Sequence, residues 1–458
     1  MGGVTPALKG FTLFSCSSLI FIGLLTVDLN AQTITITNSN RIINNRHHNA
    51  TLIVNSSINV ITDKKNPYRG TSLGLYFTNI NKLDIQKGAS IDSWVDTQST
   101  TINQVDINSG NVAGFHLKGG TKIRTIDLKQ GGRMRSVLMR GNASIETLNI
   151  EGTLVGWSAY GGINFRDPNG KINTITVKQG GKIEQGVRNN NGTIQTLTIN
   201  SGTINGGITN SKTIQTLTIN SGTINGNIVN SGANASTGSI NITGTSNVSG
   251  NIVNQNGANF NNQITLEQNS KLGGISNNAN STMGGTLDLK GEVGTISNAG
   301  TFNSTLTLSN KVGTISNSGT FNSTLTLSNK VGTIENKQGG TISNDITIQA
   351  GGSVEAINNS GTMQNITNNN GTLSHITNSG TMKVITNNGT VTLTLTNSGG
   401  TIDKVTNATG ATATIHNQGT ITKGIINDGG TLTVLNDFRR TEGTKDFQTI
   451  GEIGKTAN

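Results

Sequence analysis

The sequence predicts an all-β fold, a right-handed parallel β-helix in which short strands wind into a solenoid behind an irregular N-terminal cap. Three observations predict it: few apolar and aromatic residues, an abundance of Gly, Asn, Thr and Ser, and internal repetition with a period near twenty residues. Only 32% of the 458 residues are apolar and only 3% are aromatic. A compact globular core cannot be filled by so few apolar side chains, whereas a thin column of stacked residues can.

Intrinsic disorder is the main alternative for such a composition, and two features argue against it. Charged residues make up only 12% of the chain, whereas disordered chains usually combine low hydrophobicity with a high net charge. Only three prolines, Pro6, Pro67 and Pro168, interrupt the sequence, which favours long uninterrupted backbone pairing. We therefore expect ordered strands.

Two families of near-identical repeats give the period. Residues Thr193–Ser211 (TIQTLTINSGTINGGITNS) recur twenty residues later as Thr213–Ser231, with two changes. Residues Val293–Lys311 recur nineteen residues later as Val312–Lys330, with one change. From Gly361 onwards, units such as GTMQNITNNN follow at about half that spacing. A fixed period near twenty residues predicts stacked coils.

Each repeat contains short strand patterns that end in turn signals. In Thr213–Asn220 the apolar residues alternate with Thr and Gln, and the segment ends in Asn220-Ser221-Gly222, which predicts a strand and a corner. About twenty coils at a spacing of ~4.8 Å would form a rod on the order of 100 Å long. The corner asparagines are expected to stack as hydrogen-bonded ladders, and the adjacent glycines to supply positive φ.

The N-terminus predicts a secretory signal peptide, residues 1–31. An apolar run at residues 11–27 is followed by Leu29-Asn30-Ala31, so cleavage is expected after Ala31, with an uncleaved membrane anchor as the alternative. The single cysteine, Cys16, lies inside this signal. The mature chain is therefore expected to contain no cysteine, which suits a chain that is threaded unfolded through a second membrane.

Composition divides the rest of the chain into four parts. Trp94, His47-His48 and Asn66-Pro67-Tyr68-Arg69 break the repeat pattern early in the chain, which predicts a cap over the open end of the solenoid. The predicted parts are residues 32–100, the N-terminal cap and first irregular coils; residues 101–190, basic β-helix coils; residues 191–435, Asn/Thr/Gly-rich repetitive β-helix; and residues 436–458, a tail or linker.

Positive charge is concentrated in one part of the chain. Residues 118–188 contain twelve Lys or Arg and five Asp or Glu, a net charge of +7 out of +10 for the whole chain. If Lys129, Arg133, Arg135 and Arg140 share one face, they form a basic stripe that would attract anionic glycans, lipopolysaccharide phosphate or acidic lipid. The alternative is a spread of solvated charges that keeps the rod soluble. Nucleic acid is not expected, because no aromatic residues are interleaved with the basic ones.

Catalytic signals are sparse, so we do not expect an enzyme. No G-x-S-x-G or H-E-x-x-H motif is present, which argues against serine hydrolases and zinc proteases. Asp92 and Asp96 around Trp94 form a local carboxylate pair, as a glycosidase would need, but we expect a solvated turn in the cap. Adjacent residues on a strand point to opposite faces, so His47 and His48 are not expected to share a metal ion. No catalytic residue, cofactor or metal site is predicted. The remaining histidines are scattered, at His116, His375 and His416.

The repeats carry a resemblance to a known family. In Val105–Gly156, short I-x-T-L-x-I strands alternate with GG or SG corners, and later come GTISNSGTF and GTLSHITNSGTMKVITNNGT. These segments resemble the coils of vacuolating-cytotoxin-like autotransporter passengers of Helicobacter and related bacteria, and the likeness covers most of Val105–Leu435. The resemblance implies a β-helical passenger, exported through the periplasm to the cell surface, the outer membrane or the medium, with a host-cell receptor or glycan as partner.

Two departures limit what the resemblance implies. The family's pore-forming cytotoxin has a Gly-patterned apolar segment soon after its signal, whereas Gln32–Asn55 is polar here, so pore formation is not expected. The family also ends in an outer-membrane barrel translocator, which we expect for export but do not find before Asn458. Three functions stay open at this point: a toxin-like or adhesive surface for host colonisation, a polysaccharide-active enzyme on the same scaffold, and a passive spacer.

Overall fold

A computed structural model describes residues 32–36, 41–43, 49–57, 71–156, 161–436, 438–440, 447–449 and 452–453. These residues contain no helix, and their strands stack in parallel as a β-solenoid of about 18 turns. At ~4.8 Å per turn, the rod is roughly 85 Å long. The predicted parallel β-helix is thereby confirmed. The predicted signal peptide and its cleavage site at Ala31 lie outside the described residues.

In the first half of the rod, each coil crosses two sheets. The early coils contain β1 (Thr33–Ile36), β2 (Arg41–Ile43), β3 (Ala50–Val54), β4 (Thr71–Tyr76), β5 (Asn79–Ile85), β6 (Ser90–Gln98), β7 (Thr101–Ile107), β8 (Asn111–Leu117) and β9 (Lys122–Leu128). Next come β10 (Arg133–Met134), β11 (Val137–Met139), β12 (Ser144–Ile150), β13 (Thr153–Leu154), β14 (Ile163–Phe165), β15 (Lys171–Val177), β16 (Lys182–Ile183) and β17 (Val187–Asn189). The first repeats contain β18 (Thr193–Asn200), β19 (Thr203–Asn205), β20 (Ile208–Asn210), β21 (Thr213–Asn220), β22 (Thr223–Asn225), β23 (Ile228–Ser231), β24 (Ser236–Thr243) and β25 (Asn247–Gln255).

In the second half, a third sheet begins at β26, and the first sheet ends at β33. The first coils of this half contain β26 (Asn259–Phe260), β27 (Ile264–Leu266), β28 (Lys271–Asn277), β29 (Thr282–Met283), β30 (Thr286–Leu289), β31 (Glu292–Asn298), β32 (Thr301–Phe302), β33 (Thr305–Leu308), β34 (Val312–Asn317), β35 (Thr320–Phe321) and β36 (Leu325–Leu327). The last coils contain β37 (Lys330–Asn336), β38 (Thr341–Ile342), β39 (Ile346–Ile348), β40 (Ser353–Asn359), β41 (Thr362–Met363), β42 (Ile366–Asn369), β43 (Thr372–Asn378), β44 (Thr381–Asn388), β45 (Leu393–Asn397), β46 (Thr401–Asn407), β47 (Thr412–Asn417), β48 (Thr420–Ile421), β49 (Ile425–Asn427) and β50 (Thr431–Asn436).

The predicted tail, residues 436–458, contains the last three short strands of the described residues. These are β51 (Phe438–Arg440), β52 (Phe447–Thr449) and β53 (Glu452–Ile453). Strands β51 and β52 pair antiparallel, and β53 pairs with β48. Sheet 1 runs from β1 to β33, sheet 2 from β2 to β50, and sheet 3 from β26 to β53.

The predicted cap, residues 32–100, contains strands that already belong to the solenoid. Strands β1, β3 and β5 lie in sheet 1, while β2, β4 and β6 lie in sheet 2. Trp94 was predicted to break the repeat pattern, but it lies within strand β6. His47-His48 and Asn66-Pro67-Tyr68-Arg69 lie outside the described residues.

The repeat period equals one coil, and equivalent residues stack in register. Thr193 pairs with Thr213, and the pairing continues without a shift to Asn200 and Asn220. The Ile and Leu side chains of these strands are buried, whereas the intervening Thr and Gln side chains face outward. The shorter units that begin at Gly361 are half coils, because β43 lies in sheet 2 and β44 in sheet 3. A column of stacked Ile and Leu thus supplies the core that the composition allows.

The bend in the coil moves from one side of the rod to the other near β24–β27. From β9 to β24, sheet 1 holds the long strand of each coil, and sheet 2 holds a bent pair such as β19 and β20, with Gly206 and Gly207 at φ +75° in the bend. In β25 the bent pair becomes one strand, with a register shift between Val248 and Asn251. Afterwards the long strand, such as β31, lies in sheet 2. The bend then lies on the other side of the coil, between Phe302 on β32 and Leu306 on β33.

Buried asparagines stack along the inner edge of sheet 2, as predicted. Each Nδ2 donates to the Oδ1 of the next asparagine at 2.8 to 3.0 Å. Thr237 interrupts the series, since its Oγ1 accepts from Asn210 and donates to Asn230, both at 2.9 Å. This buried ladder comprises Asn189, Asn210, Asn230, Asn254, Asn277, Asn298, Asn317, Asn336, Asn359, Asn378, Asn397 and Asn417.

The corner glycines supply positive φ at Gly-Gly corners, such as Gly131 at 78° and Gly180 at 80°, as predicted, but not at every corner. At the Asn-Ser-Gly corners, positive φ is adopted by the serines, Ser201 at 57° and Ser221 at 50°, so the prediction that the glycine supplies it is wrong there. A Cβ on Gly222 would lie 2.5 Å from Cγ2 of Ile199 in the preceding coil. Glycine is required at this position because the coils approach each other closely.

Candidate functional site

Charged and aromatic side chains cluster on the outer face of sheet 2 in the coils of residues 71–190. The central group, here called the Asp96 cluster, consists of Tyr76, Trp94, Asp96, His116 and Lys118. Asp96 Oδ2 accepts hydrogen bonds from Lys118 Nζ at 2.8 Å and from Tyr76 Oη at 3.2 Å. His116 Nδ1 lies 3.3 Å from Asp96 Oδ1. The carboxylate is thus enclosed by three polar groups from neighbouring coils.

Parallel register and two glycines assemble this cluster. Asp96 on β6 pairs with His116 on β8 and with Gly74 on β4, so all three lie in one column across the sheet. A Cβ on Gly74 would lie 2.6 Å from the Tyr76 ring, and one on Gly114 would lie 2.8 Å from the Trp94 ring. The missing Cβ atoms therefore leave the space in which the aromatic rings cover the sheet.

The Asp96 cluster is a largely desolvated ion pair network. Asp96 is only 5% exposed. Burial alone would raise the pKa of its carboxyl, but the contacts from His116 and Lys118 outweigh burial and hold that pKa below its ordinary value. The Trp94 and His116 ring centroids lie 5.9 Å apart, and His116 Nε2 is buried without a hydrogen-bond partner among the described residues.

A second charged group lies on the outer face of sheet 1. Asp84, Asp106 and Asp127 pair in register on β5, β7 and β9. Lys82 Nζ lies 2.7 Å and Lys129 Nζ lies 3.4 Å from Asp106 Oδ2. Burial would raise the pKa of Asp106, but the hydrogen bond and charge of Lys82 hold it below the ordinary value. Lysines therefore compensate the repulsion between stacked carboxylates.

The four residues of the predicted basic stripe are distributed around a single coil. Lys129 follows β9 in sheet 1 and pairs with Asp106. Arg133 and Arg135 are exposed, lie on either side of buried Met134, and line a shallow depression of about 270 Å³. Arg140 follows β11, at the corner that leads back to sheet 1. The structure thus brings only Arg133 and Arg135 together, because residues 129–140 span half a coil instead of stacking across coils.

The carboxylate pair of the sequence analysis has a different environment from the one predicted. Asp92 and Asp96 lie in strand β6, and Asp96 is buried, so the expectation of a solvated turn is wrong. Asp92 lies four positions before Asp96 along the strand and is exposed, whereas the Asp96 carboxylate is already bound by Lys118 and Tyr76. The burial of Asp96 was not predicted because Trp94 was interpreted as an interruption of the solenoid.

One exposed aromatic residue occupies an unfavourable backbone conformation. Phe77 is 60% exposed and adopts φ 53° at the corner after β4. The corresponding corners of the next coils use Ser99 at φ 46° and Gly120 at φ 79°, residues that tolerate this region better than phenylalanine. A strained, solvent-exposed aromatic residue is a candidate contact with a partner.

Comparison with known proteins adds no relative. No protein-family model and no curated protein matches the chain. In the described part, no group of three or more His, Cys, Asp or Glu side chains is placed to hold a metal ion. The same residues form no helix long and apolar enough to cross a bilayer.

Several residues of the candidate site escaped the sequence analysis. Three of them contact Asp96 from a neighbouring coil, at a distance of 20 to 22 residues along the sequence: Tyr76, His116 and Lys118. Their spacing matches one coil, and that is the signal by which they could have been found. The two glycines beneath the aromatic rings carried no such signal, because glycine is common throughout the chain.

Proposed function

We propose that the chain is an exported β-solenoid passenger that presents a binding surface, in an adhesive or toxin-like role during host colonisation. The observation that carries the proposal is the gathering of charged and aromatic side chains on the coils of residues 71–190, at one end of a long rod of sparsely charged repeats. Such a rod holds a binding surface away from the cell that displays it. The partner is a receptor or glycan on a host-cell surface.

Export is tested by the fate of the N-terminus. The full chain is expressed in a Gram-negative bacterium, and the exported product is expected to begin at Gln32. Placing a charge in the apolar run of the signal, with Leu24→Asp, is expected to keep the protein in the cytoplasm with residues 1–31 attached. An unprocessed wild-type protein in the cytoplasm would overturn the export proposal.

Binding is tested with labelled mature protein and cultured epithelial cells, where we expect saturable binding. Phe77→Asn removes the exposed ring, and asparagine tolerates the left-handed backbone. We expect weaker binding with an unchanged or higher melting temperature, since backbone strain is relieved. Val391→Asn is the matched control, because Val391 is 39% exposed in the repeats. Binding that cannot be saturated would instead favour a passive spacer.

The enzyme alternative is less well supported. Asp96 is enclosed by Lys118, His116 and Tyr76, so its carboxylate is engaged and does not face a substrate together with the exposed Asp92. Incubation of the mature protein with acidic polysaccharides, followed by size-exclusion chromatography, should leave the polymer length unchanged. Depolymerisation that is lost in Asp92→Asn would contradict the binding-surface proposal.

A further inference from the structure

Three basic residues stack in single file at one corner of the solenoid. Lys118, Arg140 and Arg166 each follow the last strand of their coil in sheet 2, and these strands, β8, β11 and β14, pair in register. The Arg140 amide donates to the Leu117 carbonyl at 2.8 Å, and the Arg166 amide donates to the Met139 carbonyl at 3.0 Å. The three residues, here called the basic column, therefore repeat at about 4.8 Å along the rod axis.

Arg140 is the least satisfied member of the basic column. It makes no ion pair with any described residue, and its Nε is buried without a hydrogen-bond partner among them. Lys118 is held on one side by Asp96, with 36% of its side chain exposed, and Arg166 is exposed. Arg140 as a whole is half-buried, and no described carboxylate competes with an external oxyanion for its guanidinium group.

Two glycines adjoin the basic column and place no side chain beside it. Gly119 follows Lys118, and Gly141 follows Arg140; a Cβ on Gly141 would lie 3.3 Å from the Gly119 Cα. The nearby Asn142 and Asp167 are turned to the backbone, where they accept hydrogen bonds from Gly120 N at 2.6 Å and Gly141 N at 3.2 Å. A ligand chain lying along this corner would meet no side chain at Gly119 or Gly141.

We infer that the basic column binds a linear sulfated glycan lying parallel to the rod axis. This inference rests on the proposed function and names the partner of that surface. Guanidinium groups bind oxoanions through two parallel hydrogen bonds, and cations in single file match a polymer that carries its charges in single file. The neighbouring column consists of His116, Leu138 and Asn164, which offers no stacked aromatic platform for nucleic-acid bases.

The test is the affinity of the full mature protein for fluorescent heparin oligosaccharides. Neutralising two members of the column, with Arg140→Gln and Arg166→Gln together, is expected to weaken binding about tenfold or more. The matched control, Lys129→Gln with Arg133→Gln, removes the same charge from the same region outside the column and should change the affinity less than about twofold. Equal losses in the two pairs would overturn the column as the site.

Two further arms test the ligand class and the fold. Desulfated heparin and single-stranded DNA are expected to bind at least about tenfold more weakly than heparin, and equal binding of either would overturn the proposal. Arg140→Lys keeps the charge but loses the paired hydrogen bonds, so a severalfold loss is expected even if the double variant misfolds. An unchanged affinity in Arg140→Lys would contradict oxoanion recognition by this guanidinium.

Cell binding separates this inference from the function on which it rests. If wild-type protein binds cells saturably but shows no affinity for heparin, the binding-surface proposal stands and the sulfated-glycan inference is overturned. If wild-type protein binds heparin but no cell, the proposed host role is wrong. If the Arg140→Gln, Arg166→Gln variant loses both activities together, both proposals are supported.

Discussion

The coils of residues 71–190 and those of residues 191–436 share one fold but present different surfaces. Both have Ile, Leu and Val at the inward positions, stacked in register. On the outer face of sheet 1, the early coils stack Asp84, Asp106 and Asp127, whereas the repeats stack Thr196 on Thr216. The inward pattern alone maintains the solenoid, so the outward residues are free to differ.

The two regions also satisfy their buried polar groups differently. In the early coils, the buried carboxylates Asp96 and Asp106 have lysine partners. In the repeats, uncharged asparagines donate to one another from coil to coil. Ion pairs respond to pH and salt, but amide ladders do not. The early coils should therefore be the part of the rod that is sensitive to solution conditions.

The largest loss of stability is expected from the substitution Phe321→Ala. Phe321 is 1% exposed, and its ring stacks on Phe302 with centroids 4.7 Å apart. The cavity should lower the local free energy of unfolding by about 3–5 kcal/mol. Hydrogen exchange should show lost protection in the neighbouring coils only, because solenoid coils contact mainly their neighbours. An equal loss of protection in residues 71–190 would mean that the rod unfolds as one unit, and Phe77→Ala is the exposed control.

A smaller loss is expected from Asn317→Ala in the buried ladder. Asn317 Nδ2 donates to Asn336 Oδ1 at 2.9 Å, and its Oδ1 accepts from Asn298 at 2.8 Å. Removing both contacts from a buried site should cost about 2–4 kcal/mol. Asn322→Ala, in the exposed pair with Asn303, is the control and should cost less than about 1 kcal/mol. Urea denaturation measures the free energy of unfolding of both variants. Equal losses of stability in the two would contradict the role of burial.

Thr237→Val tests the join between the two halves of the rod. Its hydroxyl links Asn210 to Asn230 where the bend changes sides. Valine keeps the shape but leaves both amide groups without this partner, at a cost of about 1–2 kcal/mol. Thermal unfolding monitored by circular dichroism should show the loss. An unchanged melting temperature would show that this hydroxyl does not stabilise the join.

The smallest expected effect is a loss of stability of the early coils at low pH. The pKa values of Asp96 and Asp106 are lowered by their lysine and histidine contacts. Their stabilisation is therefore complete above the unfolded-state pKa of about 3.9 and is lost as the pH falls through the lower folded-state values. Trp94 fluorescence in a Trp157→Phe background should report loosening of the Asp96 cluster below about pH 4.

The matched experiment for acid sensitivity uses the repeats. The pKa of Asp403 is lowered by hydrogen bonds from Lys423 and Thr422, but its side chain is 30% exposed, compared with 7% for Asp96. Asp403→Asn should leave acid unfolding unchanged, whereas Asp96→Asn should flatten the pH dependence of the early coils. An acid transition that starts in the repeats would reverse the comparison between the two regions.

The repeats were easier to predict than the early coils for a physical reason. Between residues 193 and 231 the coil length is constant, so Thr193 and Thr213 could be aligned by eye. In the early coils the interval between stacked residues varies, from 22 residues between Lys118 and Arg140 to 26 between Arg140 and Arg166. A constant period could not reveal these columns, and the predicted basic stripe followed sequence proximity instead.

The movement of the bend was also beyond sequence reasoning. The inward residues Ile204 and Ile208 are four apart in the bent pair, whereas Val293 and Ile296 are three apart in the long strand of the same sheet. Either spacing fits a strand that ends in a buried asparagine. Only the pairing of β22 and β23 with the single strand β25 shows that these spacings are alternative forms of one side of the coil.

The in-register stacking of whole repeats has a consequence for how such a gene can change. Val293 pairs with Val312, and Val312 pairs with Val331, so each nineteen-residue unit offers its successor the same interface that it received. Deleting residues 312–330 would join Lys311 to Val331 and recreate the original contacts. Recombination between the repeats could therefore lengthen or shorten the rod by whole coils, changing how far it reaches without altering the surface at its other end.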